Sequence, residues 1–289
     1  MNRADGTRLR DTDPMYTVAA HIMDKRYDSM NMITLDLPLE PMQKYLSDKR
    51  KDGITISHMA LIIAAYLRTA AEFPLLNRFI VNKKPYARNE FAVAMVVLKS
   101  GQLDNGTMSK MFFEMTDTVF EVNDKINKYV DDNRHAPENN GTEKIIKFLL
   151  SLPGLLSIGV PILKWMDRHG ILPKAIIDMS PFHNSLVISN LASIRTNHIY
   201  HHLYEFGTSS VFFTMGNSRE VPKRKGKEIV FEKCMPLGVV MDERICSGSY
   251  FAHAFRKFST YIKNPELLEV PPETVVPDPN IKIKKKKEK

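Results

Sequence analysis

The stretch MPLGVVMDERICSGSYFAHAFRKFSTYIKNPELLE, residues 235–269, decides how this chain is read. Its apolar start, with Cys234 before it, suits a buried strand, and its second half repeats Phe251, Ala254, Phe255, Phe258 and Ile262 at helical spacing. Asn264 and Pro265 stop that helix, because proline cannot continue the hydrogen-bond ladder. Between strand and helix lies DERICSG, residues 242–248, which carries an acid, a base, a thiol and a hydroxyl. Short loops held by rigid elements are where α/β enzymes place their chemistry.

Working outward, EIVFEK and CMPLGVVM read as the two strands of a hairpin, preceded by a turn at PKRKGK. SLVISN (185–190) and SSVFFTMG (209–216) read as strands joined by a long, aromatic and histidine-rich connection. Further upstream, MNMITLDLPL (30–39) and EFAVAMVVLK (90–99) have strand character, the second central in a sheet. EPMQKYLSDKRKDG is helix-like and ends at Gly53; TISHMALIIAAYLRTAAEFP is a helix with Ser57 as N-cap and Pro74 as stop, apolar almost all round. TDTVFEVNDKINKYV puts Val119, Val122, Ile126 and Tyr129 on one helical face. Strands and helices alternate without a regular βαβ repeat, which predicts an α/β fold with a mixed sheet and helices on it. A polar segment (1–15) leads into one domain (16–270), and a Pro-rich, then Lys-rich, disordered basic tail (271–289) follows.

Composition excludes several classes. The two cysteines, Cys234 and Cys246, form no CxxC or Cys/His pattern, so neither a disulfide framework nor a zinc module is expected, and a reducing cytoplasm is the default. The net charge of +8 owes +5 to the tail KIKKKKEK, and no nucleic-acid motif accompanies it. The N-terminus lacks the apolar core of a signal peptide. FLLSLPGLLSIGVPIL, residues 148–163, lies in an apolar insert (143–176) and is uncharged for 16 residues. It falls short of the roughly 20 residues a membrane span needs. Interrupted by Pro153, Gly154, Gly159 and Pro161, it reads as two short apolar helices packed on the body. Contact with a membrane surface is the second reading, since Lys144, Lys147, Lys164 and Arg168 flank it.

Four of these pieces, in this order, resemble the catalytic domain of the dihydrolipoyl acyltransferases of 2-oxo acid dehydrogenase complexes, in the superfamily of chloramphenicol acetyltransferase. ITISHMALIIAAYLRTAAEFPLLN is similar to the family's long helix ending in Pro-x-x-Asn, FAVAMVVL to its next strand, SLVISNLASI to its Ser-Asn-Leu-Gly strand end. Residues 235–269 are similar to its strand, H-x-x-x-D-G loop and final helix. The resemblance spans about residues 16–270. It implies a CoA-dependent acyltransferase fold, a homotrimer with each active site at a subunit boundary, and coenzyme A or an acyl-CoA thioester as substrate. It also implies that a loop histidine deprotonates a thiol while a neighbouring subunit's serine or threonine stabilises the oxyanion. Here Glu243 stands in the histidine's place and Ser247 in the aspartate's, Gly248 is kept, Ser189 matches the oxyanion hydroxyl, and Arg26 matches the arginine that pairs with the family's aspartate.

The altered loop has a chemical cost. A thiol titrates near 8.5, histidine near 6.5 and glutamate near 4.3, so the proton-transfer mismatch grows from roughly 2.7 to roughly 5.7 kcal/mol. Glu243 is therefore either a general base whose pKa burial has raised, or a structural carboxylate at an interface, paired with Arg26. Ser189 is either the oxyanion donor or a strand-end hydroxyl serving local backbone. Cys246 reads as nucleophile or as buried packing; His201 and His202, in a loose cluster with His198, and His253 read as a replacement base or as surface and core histidines. No lipoyl-bearing segment precedes the domain in this sequence. The two functions in view are a stand-alone acyltransferase with a degenerate catalytic loop, and a non-catalytic trimeric binding or scaffold protein, a pseudoenzyme of the same fold.

Overall fold

The computed structural model describes residues 2–98, 106–134, 150–151 and 154–281. The stretch 135–149, which includes the start of the insert, residues 152–153 within it, and the lysine run from 282 lie outside the described residues.

A seven-stranded mixed sheet carries the fold. Its strands are β2 (Met30–Pro38), β5 (Phe91–Leu98), β6 (Gly106–Phe113), β7 (Leu186–Asn190), β8 (Val211–Met215), β9 (Arg219–Lys225) and β10 (Glu228–Asp242). The order is β2-β10-β8-β7-β5-β6, with β9 paired to the outer half of β10. β7 runs parallel to both β5 and β8; the other pairings are antiparallel. A separate antiparallel sheet joins β1 (Gly6–Arg8), β4 (Lys84–Arg88) and β3 (Arg78–Val81).

After the N-terminal helix α1 (Pro14–Ile22), helices α2 (Leu39–Lys51), α3 (His58–Glu72), α4 (Val119–Arg134) and α7 (Gly248–Lys263) contribute to the main core on one sheet face. The helix α3 is buried along most of its length, its alanines bringing it close to the strands while Tyr66 meets the edge of Phe213 at 4.9 Å between ring centroids. Ser57 caps it, accepting from the Ala60 N–H at 3.0 Å. The predicted faces hold: Val119, Val122, Ile126 and Tyr129 of α4, and Phe251, Ala254, Phe255, Phe258 and Ile262 of α7, are all buried. On the opposite sheet face the connection after β7 passes back over the strands, packing Leu203 with Val187, Phe212 and Val240.

Three expectations need correction. EIVFEK and CMPLGVVM are one 15-residue strand rather than a hairpin's two; the first four residues of PKRKGK end its partner β9, and only its last two, Gly226 (φ 63°) and Lys227, make the hairpin turn. The described apolar run of the insert is not packed on the body: the helix α5 (Leu155–His169), with Pro161 inside it, leaves large apolar side chains exposed. The first of the two expected helices falls mostly outside the described residues, and the short α6 (Lys174–Met179) follows α5. Nor is the chain disordered from 271, because Asp278 is buried against Arg78, accepting from Nε at 2.5 Å and Nη2 at 2.7 Å, and Val276 donates to Ala71 O. An acid placed for a buried arginine was invisible in a Pro-rich composition.

Candidate functional site

The loop after β10 is shaped by its own acid and base. Asp242, fully buried at the strand's end, accepts from Arg244 through Nε (2.8 Å) and Nη2 (2.7 Å), from the Arg244 N–H (3.1 Å) and from Ser29 Oγ (3.0 Å). Burial works against the Arg244 charge, but Asp242 outweighs it and holds the guanidinium above its ordinary range. Arg244 Nη1 donates to Met23 O, and the Glu243 N–H to Ser29 O, tying the loop to the chain that precedes β2. Ser247 is exposed and caps α7, accepting from the Tyr250 N–H at 3.3 Å. Cys246 is fully buried, and burial pushes its thiol far up, so it is packing rather than a nucleophile.

Glu243 itself is only half-buried, and its Oε2 accepts from Asn31 Nδ2 at 2.7 Å. The expected Arg26–Glu243 pair does not form. Arg26 is buried with its guanidinium on three main-chain carbonyls, Tyr204 (3.1 Å), Glu205 (2.8 Å) and Ile80 (2.9 Å), while its N–H donates to Glu205 Oε2. Burial lowers its pKa, with Asp242 the foremost charge opposing that. Its partners are backbone oxygens that sequence reading cannot place. An open groove of about 800 Å³ lies between β2 and α7, lined by Asn31, Ile33, Met241, Phe251, Phe255, Arg256 and Lys263; Glu243 is not in its wall and adjoins it through its hydrogen bond to Asn31.

Ser189 lies elsewhere. It stands opposite Thr214 on β8, which stands opposite Gly238 on β10, which stands opposite Thr34 on β2, one row across the sheet. Glu243 is five residues beyond Gly238, roughly 16 Å along the strand. One chain therefore does not bring Ser189 and Glu243 together. The connection crosses this row: Ile199 N–H donates to Thr214 Oγ1 (3.2 Å), and Thr34 Oγ1 is bonded to His198 Nε2 (2.9 Å) and Tyr200 OH (2.5 Å). Only glycine permits that crossing at 238, where a Cβ would lie 2.5 Å from Ile199 O. His201 stacks on Phe212, and the exposed His253 bonds Ser249 O with its Nδ1. His202 stacks on His201, so each candidate replacement base is engaged locally.

A second polar centre was missed. Asp167 on α5 receives Arg3 Nη2 at 2.5 Å and contacts His183 Nε2 at 3.1 Å; His183 Nδ1 meets Ser180 Oγ at 2.8 Å, and Arg3 Nε donates to Asp5 at 2.8 Å. Burial alone would raise Asp167, yet His183 and Arg3 pull it down to about 2, while burial lowers His183. The same aspartate borders a cavity of about 260 Å³ rich in cations, among them Lys25, Lys83, Lys164 and Arg168. Among the described residues, no group of three or more His, Cys, Asp or Glu side chains is arranged to hold a metal.

With this geometry in view, residues 183–270 match the family model of the 2-oxoacid dehydrogenases acyltransferase (catalytic domain). No curated protein matches the sequence. Among solved structures, the cubic core of a pyruvate dehydrogenase multienzyme complex superposes with a TM-score of 0.58 at 10% identity, covering 91% of this chain and 93% of that one. An Azotobacter vinelandii dihydrolipoamide acetyltransferase, investigated for a serine, a histidine and an asparagine in its catalytic mechanism, gives 0.57 at 10% identity over 91% and 93%. A chloramphenicol acetyltransferase gives 0.52 at 11% identity over 88% and 100%. The chain has the fold of these CoA-dependent acyltransferases, as the order of its motifs predicts.

Proposed function

We propose that this protein transfers an acyl group between a coenzyme A thioester and an acceptor, as a homotrimer whose active site joins Ser189 of one chain to Glu243 of the next. The observation that carries this reading is the placement of the two residues. They lie roughly 16 Å apart along the strands of one chain, so a site needing both is incomplete in a monomer. Exposed Ile229 and Phe231 on the β9–β10 arm supply apolar surface for such an association.

Within the site, Glu243 is the base. Bonded to neutral Asn31 rather than to Arg26, it keeps a carboxylate oxygen free for a thiol proton. The groove beside it suits the substrate: Ile33, Met241, Phe251 and Phe255 fit a pantetheine arm, and Arg256 and Lys263 meet the phosphates. The buried Asp242–Arg244 pair fixes the loop, and Ser189 donates to the oxyanion. Glutamate is a weaker match for a thiol than histidine, so slow turnover is expected. That mismatch favours the second reading, a binding or scaffold trimer.

Calorimetry with coenzyme A and acetyl-CoA, alongside thiol release over several acceptors, separates them. Saturable binding with turnover lost in Ser189→Ala supports the transferase; binding without turnover supports the scaffold. A folded trimer that binds neither ligand removes the CoA reading altogether.

A further inference from the structure

We infer that the helix α5 is a docking surface for an anionic lipid bilayer. The inference is independent of the proposed transferase. On this helix Ile158, Ile162 and Trp165 follow one another at four and three residues, so they share a face. They are 64%, 51% and 56% exposed, an unusual concentration of large apolar side chains in water. Trp165, the only tryptophan of the chain, lies against His169 one turn later, with ring centroids 4.5 Å apart and the planes tilted by 34°. An indole held at the rim of an apolar face is suited to the boundary between headgroups and acyl chains.

Charge complementarity argues for lipid over another apolar protein surface. Lys164 and Arg168, both exposed, sit one turn apart on the adjacent sector of the same helix and border the cavity that also holds Lys25 and the Lys83–Asp24 ion pair; Arg168 Nε donates to Asn82 Oδ1 at 3.2 Å. A face that is apolar in one sector and cationic in the next matches acyl chains and phosphate headgroups together. At 15 residues, about 22 Å, the helix is too short to span, and among the described residues none is long and apolar enough to cross a membrane. It would therefore lie in the surface.

The helix is also rigidly presented. Its inner side is stapled by Asp167 to Arg3 and His183. Its end is closed by Gly170 (φ 73°), with the Gly170 N–H bonded to Asp167 O and the Ile171 N–H to Met166 O. The exposed residues take no part in that clamp.

The lone tryptophan makes the test direct. Full-length protein is titrated with vesicles of phosphatidylcholine alone and of phosphatidylcholine with 30% phosphatidylglycerol, following co-sedimentation and Trp165 emission. The expected result is binding to the anionic vesicles with a blue shift, and quenching by lipids brominated on the acyl chains. Ile162→Asp should abolish the shift, and reversing Lys164 and Arg168 to glutamate should weaken binding roughly tenfold or more. Far-UV circular dichroism and thermal midpoint establish that the variants are folded. Sedimentation with unchanged Trp165 emission would mean that the lysine tail alone binds, and overturns the inference. A blue shift that depends on protein concentration without vesicles would assign the face to a second copy, and overturns it equally; so does failure to bind anionic vesicles.

Discussion

Two of the buried arginine–aspartate pairs act at opposite ranges. Asp242 and Arg244 are two residues apart and close a single loop upon itself. Arg3 and Asp167 are 164 residues apart and fasten α5 to the N-terminal segment. The local pair sets the conformation of the position that carries Glu243. The distant pair fixes where an inserted helix sits, without shaping any backbone turn. In both, removing one partner would leave the other charge buried and unpaired.

The comparison is broken most severely at Asp242. Asp242→Ala removes the acceptor of the Arg244 Nε, Nη2 and main-chain N–H in a fully buried site, while Ser29 Oγ keeps the Lys25 and Arg26 carbonyls. A loss of about 3 to 5 kcal/mol in urea unfolding is expected. A loss below 1 kcal/mol would mean that the loop keeps its shape by other contacts.

The distant pair should cost less and carry a pH signature. Asp167, held at about 2 against an ordinary 3.8, contributes about 2 kcal/mol above pH 4, which is lost as pH falls towards 2. His183, lowered by burial, adds to the same trend: below about 6.5 the unfolded chain takes up a proton that the folded one refuses. Stability is therefore expected to fall on acidification from pH 6.5 downwards. In Asp167→Asn the part below pH 4 should flatten, as thermal midpoints across pH 2.5–7 would show.

How much of this was legible follows the same division of range. The local pattern of α7 and the caps at Ser57 and Pro74 are fixed within a few residues, and they were read from the sequence. The identities at 189, 243 and 247 were equally plain once the order of motifs was seen. What escaped were partners distant in sequence. Arg26 spends its guanidinium on the carbonyls of 204, 205 and 80; Asp278 returns to Arg78; Asp167 finds Arg3. No periodicity encodes such meetings. The helix α5 differs for another reason: an apolar run predicts burial, whereas hydrophobicity alone does not say which way a face points.

A smaller effect is expected at the loop's exit. Ser247 stands where the resemblance has an aspartate, but its hydroxyl caps α7 and is exposed to water. Ser247→Ala should cost about 1 kcal/mol, and Ser247→Asp should retain the cap. Chemical denaturation of the two variants distinguishes a capping role from a required hydroxyl.

Glu243 should matter least to stability and most to chemistry. Its carboxylate is half-buried and receives a single side-chain hydrogen bond, from Asn31, which the amide oxygen of a glutamine can also accept. Glu243→Gln should therefore leave the unfolding free energy within about 0.5 kcal/mol, while acyl transfer falls by 10²-fold or more, the typical contribution of a general base. Coenzyme A binding should survive, because the groove is unchanged. A variant that is destabilised by more than 2 kcal/mol instead would place Glu243 with Asp242, as part of the frame. One that is stable and fully active would move the base elsewhere. Only the expected split, stability kept and turnover lost, separates the loop that Asp242 builds from the carboxylate it displays.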